Sequence, residues 1–88
     1  NSSNITAPQL QLSDDRKTLQ VVLADVANTK LLAIWKRTDQ QWLFSVQPAT
    51  KLSIDTSADP QAGAIRQITV MAISRSGQES QQASVQLP

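Results

Sequence analysis

The chain has 88 residues, 40% of them hydrophobic, and a formal charge of +1, which suits one small domain with a single core and no concentrated basic surface for nucleic acid. Cysteine and histidine are absent and glycine occurs only twice, which excludes thiolate or imidazole chemistry and a glycine loop for phosphate. No apolar run approaches the roughly 20 residues that span a bilayer, so membrane insertion by this segment is not expected, and neither is a cofactor or a metal.

The opening "NSSNITA", residues 1–7, is polar and reads as a linker or disordered arm that ends at Pro8. Residues 8–88 then form one domain. Period-two alternation recurs in short segments between turn signals, and helical periodicity is hard to find, so the prediction is an all-β sandwich or barrel. "QLQL" is the first strand, with Leu10 and Leu12 on one face, and "SDDRK" is a charged turn. "TLQVVLA" follows, with Leu19, Val21 and Leu23 alternating with Gln20, Val22 and Ala24. After the turn "DVANT" comes "KLLAIWKR", apolar on both parities, and "TDQQ" connects it to "WLFSVQ". Pro48 should end that strand, since it lacks the N–H that a ladder uses.

"KLSID" is a short strand with Leu52 and Ile54 inward, and "TSADPQAGA" is a long loop. "IRQITVMAIS" is the longest strand, "RSGQES" turns the chain, and "QASVQL" closes the domain with Val85 and Leu87 inward. Seven short strands at this spacing predict an immunoglobulin-like sandwich of two antiparallel sheets.

Candidate chemistry is sparse. Asp14 and Asp15 are adjacent, so their side chains diverge and a shared acid/base task is disfavoured against a solvated turn. Asp55 and Asp59 flank a loop that offers oxygens to calcium, but the alternation of acidic ligands found in dedicated calcium loops is missing, and a plain loop is the expectation. Asn1 and Asn4 each head an Asn-x-Ser/Thr triplet that matters only in a eukaryotic secretory pathway. The 12 glutamines are dispersed, as solvent-facing strand positions would be rather than a low-complexity tract.

The tryptophan hairpin is the informative feature. With Asp39 and Gln40 at its tip, Trp35 lies across from Phe44 and Arg37 across from Trp42. One face then carries Ala33, Trp35, Arg37, Trp42, Phe44 and Val46, and the other carries Leu32, Ile34, Leu43 and Ser45. Only one of these faces can point into the core, because successive side chains alternate.

The order "PQLQL … TLQVVLA … LLAIWKR … LSID … ITVMAISRSGQES … ASVQL" resembles a fibronectin type III module over nearly the whole chain. The most specific piece is "ITVMAISRSGQES", which is similar to the end of the sixth strand and its turn. Ile68, Val70 and Ala72 match inward positions, and Gly77 and Ser80 match the turn. Two features of the family are missing: a tryptophan in the second strand, and the tyrosine-corner residue, which would fall near Arg66 in a chain without tyrosine. The resemblance is therefore to a divergent, bacterial type. "LLAIWKR" with "VMAISRSGQES" is also similar to small C-terminal accessory modules of bacterial glycoside-hydrolase-like envelope proteins, which implies an extracytoplasmic setting. Where some fibronectin modules carry an Arg-Gly-Asp adhesion triplet, this chain reads Arg-Ser-Gly-Gln, so a plain turn is expected, with Gly77 at positive φ and Ser76 and Ser80 bonding the backbone.

The resemblance implies that Leu32 and Ile34 face in. Trp35, Trp42 and Phe44 would then face out beside Thr69, Met71 and Ile73, as an apolar patch that includes Arg37 at its margin. Three readings follow. Either the register is inverted and Trp35 and Phe44 are core, or the patch docks on a neighbouring domain of the parent protein, or the aromatics form a platform for carbohydrate or a partner protein. The expected role is a non-catalytic accessory or spacer module whose parent is itself an enzyme such as a glycoside hydrolase, with carbohydrate or protein binding as the alternative. The interaction patch comprises Trp35, Arg37, Trp42, Phe44, Met71 and Ile73.

Overall fold

Each alternating segment forms a strand in the computed structural model, which describes residues 5–58 and 60–87. The strands are β1 (Gln9–Leu12), β2 (Thr18–Val22), β3 (Thr29–Thr38), β4 (Trp42–Pro48), β5 (Ser53–Asp55), β6 (Ile65–Ser74) and β7 (Ala83–Gln86). A single 3-10 turn, Val26–Asn28, precedes β3. No helix of the described residues is long and apolar enough to cross a membrane.

Two antiparallel sheets result, one ordered β1-β2-β5 and the other β4-β3-β6-β7. They share one core because each strand turns alternate residues inward. Leu19, Val21 and Ile54 from the first sheet meet Leu32, Ile34, Ile65, Ile68, Val70 and Ala72 from the second. Leu10, Leu12, Leu52, Val85 and Leu87 pack around this cluster, as the alternation predicts, and so does Ile5. Every buried member is aliphatic. None of the three aromatic rings of the chain belongs to the core cluster.

Several strand ends differ by one or two residues from the sequence expectation, among them the start of β5 at Ser53 rather than Lys51, and two have a clear local reason. β2 stops at Val22 rather than Ala24, because Gln9, the first residue of β1, is already paired with Val22. The backbone then enters the 3-10 turn, where the Asp25 carboxylate accepts from the Asn28 N–H at 3.2 Å and the Asp25 carbonyl accepts from Thr29 Oγ1 at 2.7 Å. Pro48 belongs to β4 instead of standing outside it. Ladder bonds join Lys30 to Ala49 and Thr38 to Gln41, so by alternation Pro48 sits where an N–H would point away from β3, and its missing donor costs the sheet nothing.

The turns follow their residue chemistry. Gly77 adopts φ 89°, a region costly for side chains with a Cβ. Arg16 adopts φ 61° in the β1–β2 loop, a left-handed conformation uncommon outside glycine. It is pinned there because its carbonyl accepts at 2.6 Å from Thr56 Oγ1, just past the end of the neighbouring strand β5.

Candidate functional site

The β3–β4 hairpin is built on a two-residue tip, Asp39–Gln40, closed by the Thr38 N–H donating to the Gln41 carbonyl at 2.9 Å. The buried Thr38 hydroxyl accepts from the Gln40 and Gln41 N–H groups, both at 3.1 Å. Outside the tip, Asp39 receives a two-pronged contact from Arg66 of β6, Nε at 3.1 Å and Nη2 at 2.9 Å. The register is thereby set from its closed end, and Trp35 pairs with Phe44 and Arg37 with Trp42, as the tip position predicts.

The pairing resolves the choice of faces. Leu32 and Ile34 are buried at 0% and 1% exposure, whereas Trp42, Phe44 and Val46 are 53%, 59% and 48% exposed. The reading that puts Trp35 and Phe44 in the core does not hold: both lie on the outer face of the four-stranded sheet. Trp35 is half-buried there, its ring centroid 5.2 Å from that of Phe44 with the planes tilted by 47°. A tilted arrangement of this kind suits two ring quadrupoles better than a face-to-face stack.

β6 continues the same face. Thr69, Met71 and Ile73 pair with Trp35, Ala33 and Leu31 respectively, and Met71 and Ile73 are half-buried by these neighbours. The structure thus brings the predicted residues Trp35, Arg37, Trp42, Phe44, Met71 and Ile73 onto one surface. Its polar border is ordered: Thr69 Oγ1 and Ser84 Oγ share a hydrogen bond of 2.8 Å, and Gln67 Nε2 donates to Thr69 Oγ1 at 3.4 Å. Between the indoles lies a shallow cleft of about 340 Å³ lined by Trp35, Trp42, Thr69 and Gln82. Gln82 was hidden from sequence reading in the dipeptide "QQ", since only the approach into β7 swings it over this face.

The other candidates are engaged in local structure. Asp15 accepts from the Ser13 hydroxyl at 2.6 Å and the Lys17 N–H at 3.0 Å, and these bonds, the hydroxyl above all, hold its carboxyl below the usual range. Asp14 is exposed in the same turn. Asp55 accepts from the Ser57 N–H at 2.9 Å, which lowers its pKa as well. Asp59, Asn1 and Asn4 lie outside the described residues. Arg75 does not project as a free recognition group: its Nε donates to the Ala27 carbonyl at 2.8 Å, and its N–H to the Asn28 carbonyl at 2.9 Å.

The Asp39–Arg66 pair has a pH signature. The Arg66 guanidinium holds the Asp39 carboxyl below its ordinary value of 3.8, through its hydrogen bonds first and its charge second. A carboxyl lowered on folding stabilises the folded chain above its unfolded pKa, and that contribution is lost as pH falls through the folded pKa. Side-chain carboxyl NMR should therefore show Asp39 titrating at lower pH in the natural chain than in Arg66→Gln. Superimposable Asp39 curves would show that the pair is not formed in solution.

No protein-family model, curated protein or solved structure matches the chain.

Proposed function

We propose that the chain is a non-catalytic, fibronectin type III-like accessory module that packs against a neighbouring domain of a larger bacterial extracytoplasmic protein, in keeping with a glycoside-hydrolase-like parent. The division of strands supports the family reading. The first, second and fifth strands oppose the third, sixth and seventh, as in immunoglobulin-like sandwiches, with the fourth added to the latter sheet.

One observation carries the role: Trp42, Phe44 and Val46 stand 53%, 59% and 48% exposed on one side of one strand. They adjoin half-buried Trp35, Met71 and Ile73. A contiguous apolar surface of this kind is uncommon on a soluble monomer unless something covers it. Arg37, exposed and paired with Trp42, offers a cation at the margin for a carboxylate of the neighbour.

The cleft between Trp35 and Trp42 favours a second reading, carbohydrate binding, because both tryptophans line it together with the polar residues Thr69 and Gln82. Acrylamide quenching of tryptophan emission separates the two. In the docking reading, the indoles are quenched readily in the isolated chain and shielded in the parent protein, and soluble oligosaccharides such as cellohexaose and chitohexaose change nothing. A sugar-dependent emission shift, with quenching equal in chain and parent, would replace docking by carbohydrate binding.

A further inference from the structure

The outer face is not the only unpartnered feature of β4. It is also the edge strand of its sheet, and of the four edge strands it alone is long: β1, β5 and β7 have 4, 3 and 4 residues, while β4 has 7. Short edges are one way in which sheets avoid pairing with other chains, and charges or bulges are others. β4 has none of these, and its one edge proline, Pro48, stands at its last position. Residues 41–50, "QWLFSVQPAT", contain no charge, and the β3–β4 ladder runs from Leu31↔Pro48 to Arg37↔Trp42 without a shift.

The hydrogen-bond phase identifies which backbone groups are open. The bonds Ala49 N–H to Lys30 carbonyl and Thr38 N–H to Gln41 carbonyl mark the pairs that exchange bonds within the hairpin. Alternation then turns the N–H and C=O of Leu43, Ser45 and Gln47 toward β3, and those of Trp42, Phe44 and Val46 outward. Among the described residues no hydrogen bond reaches these outward groups. The run is closed at both ends, by the hairpin tip and by Pro48, which has no N–H and whose carbonyl already accepts from the Lys51 N–H at 3.0 Å.

We propose that β4 pairs antiparallel with β4 of a second copy of this chain, about a two-fold axis through Phe44. Among antiparallel registers between two such edges, one uses every outward group: Trp42 opposite Val46, Phe44 opposite Phe44, and Val46 opposite Trp42. That register is its own two-fold image, which is the condition for a closed isologous dimer. It sets no like charges opposite one another within the strand. The pairs it makes, Trp42 with Val46 and Phe44 with Phe44, set exposed apolar side chains against one another on both copies. The edge, unlike the face, is directional, and its occupation leaves the outer face available, so this pairing goes beyond the docking role and does not depend on it. One strand edge is a small interface, and such contacts associate weakly.

Sedimentation velocity over roughly 10 µM to 1 mM, a range suited to weak association, is the test. The expected result is a weight-average sedimentation coefficient that rises from monomer toward dimer. Val46→Pro removes only an outward donor and keeps an apolar residue on the face, and it should abolish the rise while far-UV circular dichroism stays unchanged. Phe44→Lys and Phe44→Glu should each be monomeric, because each sets like charges across the axis, and a mixture of the two should dimerise. The mixture keeps the test decisive if the proline variant fails to fold. A chain monomeric at every concentration would overturn the proposal, as would a dimer that withstands Val46→Pro, which would signify association through the face if the Phe44 charge variants weaken it.

Discussion

Leu19→Ala is expected to lower the free energy of unfolding by about 2–5 kcal/mol, as measured by urea denaturation followed by far-UV circular dichroism. Leu19 is fully buried at 0% exposure. It stands at the centre of the three-stranded sheet, with Leu12 of β1 directly across on one side and Ile54 of β5 on the other. It also belongs to the cluster that includes Leu32, Ile34, Ile68 and Val70 from the opposing sheet. Truncation therefore opens a void at the contact between sheets, where neighbours already held by their ladders have little freedom to close it. Domains of this size are stable by only about 5–15 kcal/mol, so the loss is a large share of the total. Val22→Ala, on the other face of β2 at 49% exposure, provides the contrast, with a change expected within about 0.5 kcal/mol. Equal effects at the two positions would refute the assignment of faces in β2.

Ser80→Ala should cost about 1–3 kcal/mol, a large penalty for deleting one oxygen atom. β6 runs through Ser74, but β7 pairs with it only from Gln67 to Val70. Beyond Val70 the incoming chain covers β6 with side chains as well as backbone. The Ser80 hydroxyl accepts from the buried Ala72 N–H at 2.9 Å and donates to the Gln81 carbonyl at 2.8 Å, while the Ser80 N–H donates to the Ala72 carbonyl at 2.9 Å. Alanine at position 80 would leave the Ala72 N–H buried without an acceptor. Amide hydrogen exchange at Ala72 should accelerate alongside the drop in stability. Unchanged exchange at that amide would show that another group satisfies it.

The strands were legible in the sequence because each buries one face, and a buried face writes period-two alternation into the chain. The hairpin register was legible for a different reason, since a two-residue tip leaves no freedom in which residues oppose one another. What alternation could not decide was the inward side of β3, because Leu32 and Ile34 on one parity and Ala33 and Trp35 on the other are all apolar. The resolution lies in the partners: Ile68, Val70 and Ala72 of β6 and the three-stranded sheet together form a thin aliphatic layer, and the indole lies outside it. The polar anchors were harder still. Ser80 could be assigned to a turn from its neighbours, but its bond to Ala72 depends on where β7 leaves β6. The clamp of Thr56 on the Arg16 carbonyl joins two loops that meet at one end of the β2–β5 pairing but are distant in the chain, so it has no local signature at all.

The pairing of β2 with β5 has a consequence for the order of events when the chain folds. Leu19 meets Ile54 across a sequence interval that contains the whole β3–β4 hairpin. The hairpin can zip up locally, but the three-stranded sheet must wait for a long loop to close, with its entropy lost before the contacts form. Topologies of this kind reach the native state in roughly milliseconds to seconds. Any hairpin that forms during that wait shows its uncharged edge and its three rings to water before the core that anchors it is in place, although an isolated hairpin is only marginally stable. Raising the chain concentration during refolding is therefore expected to lower the yield of folded monomer.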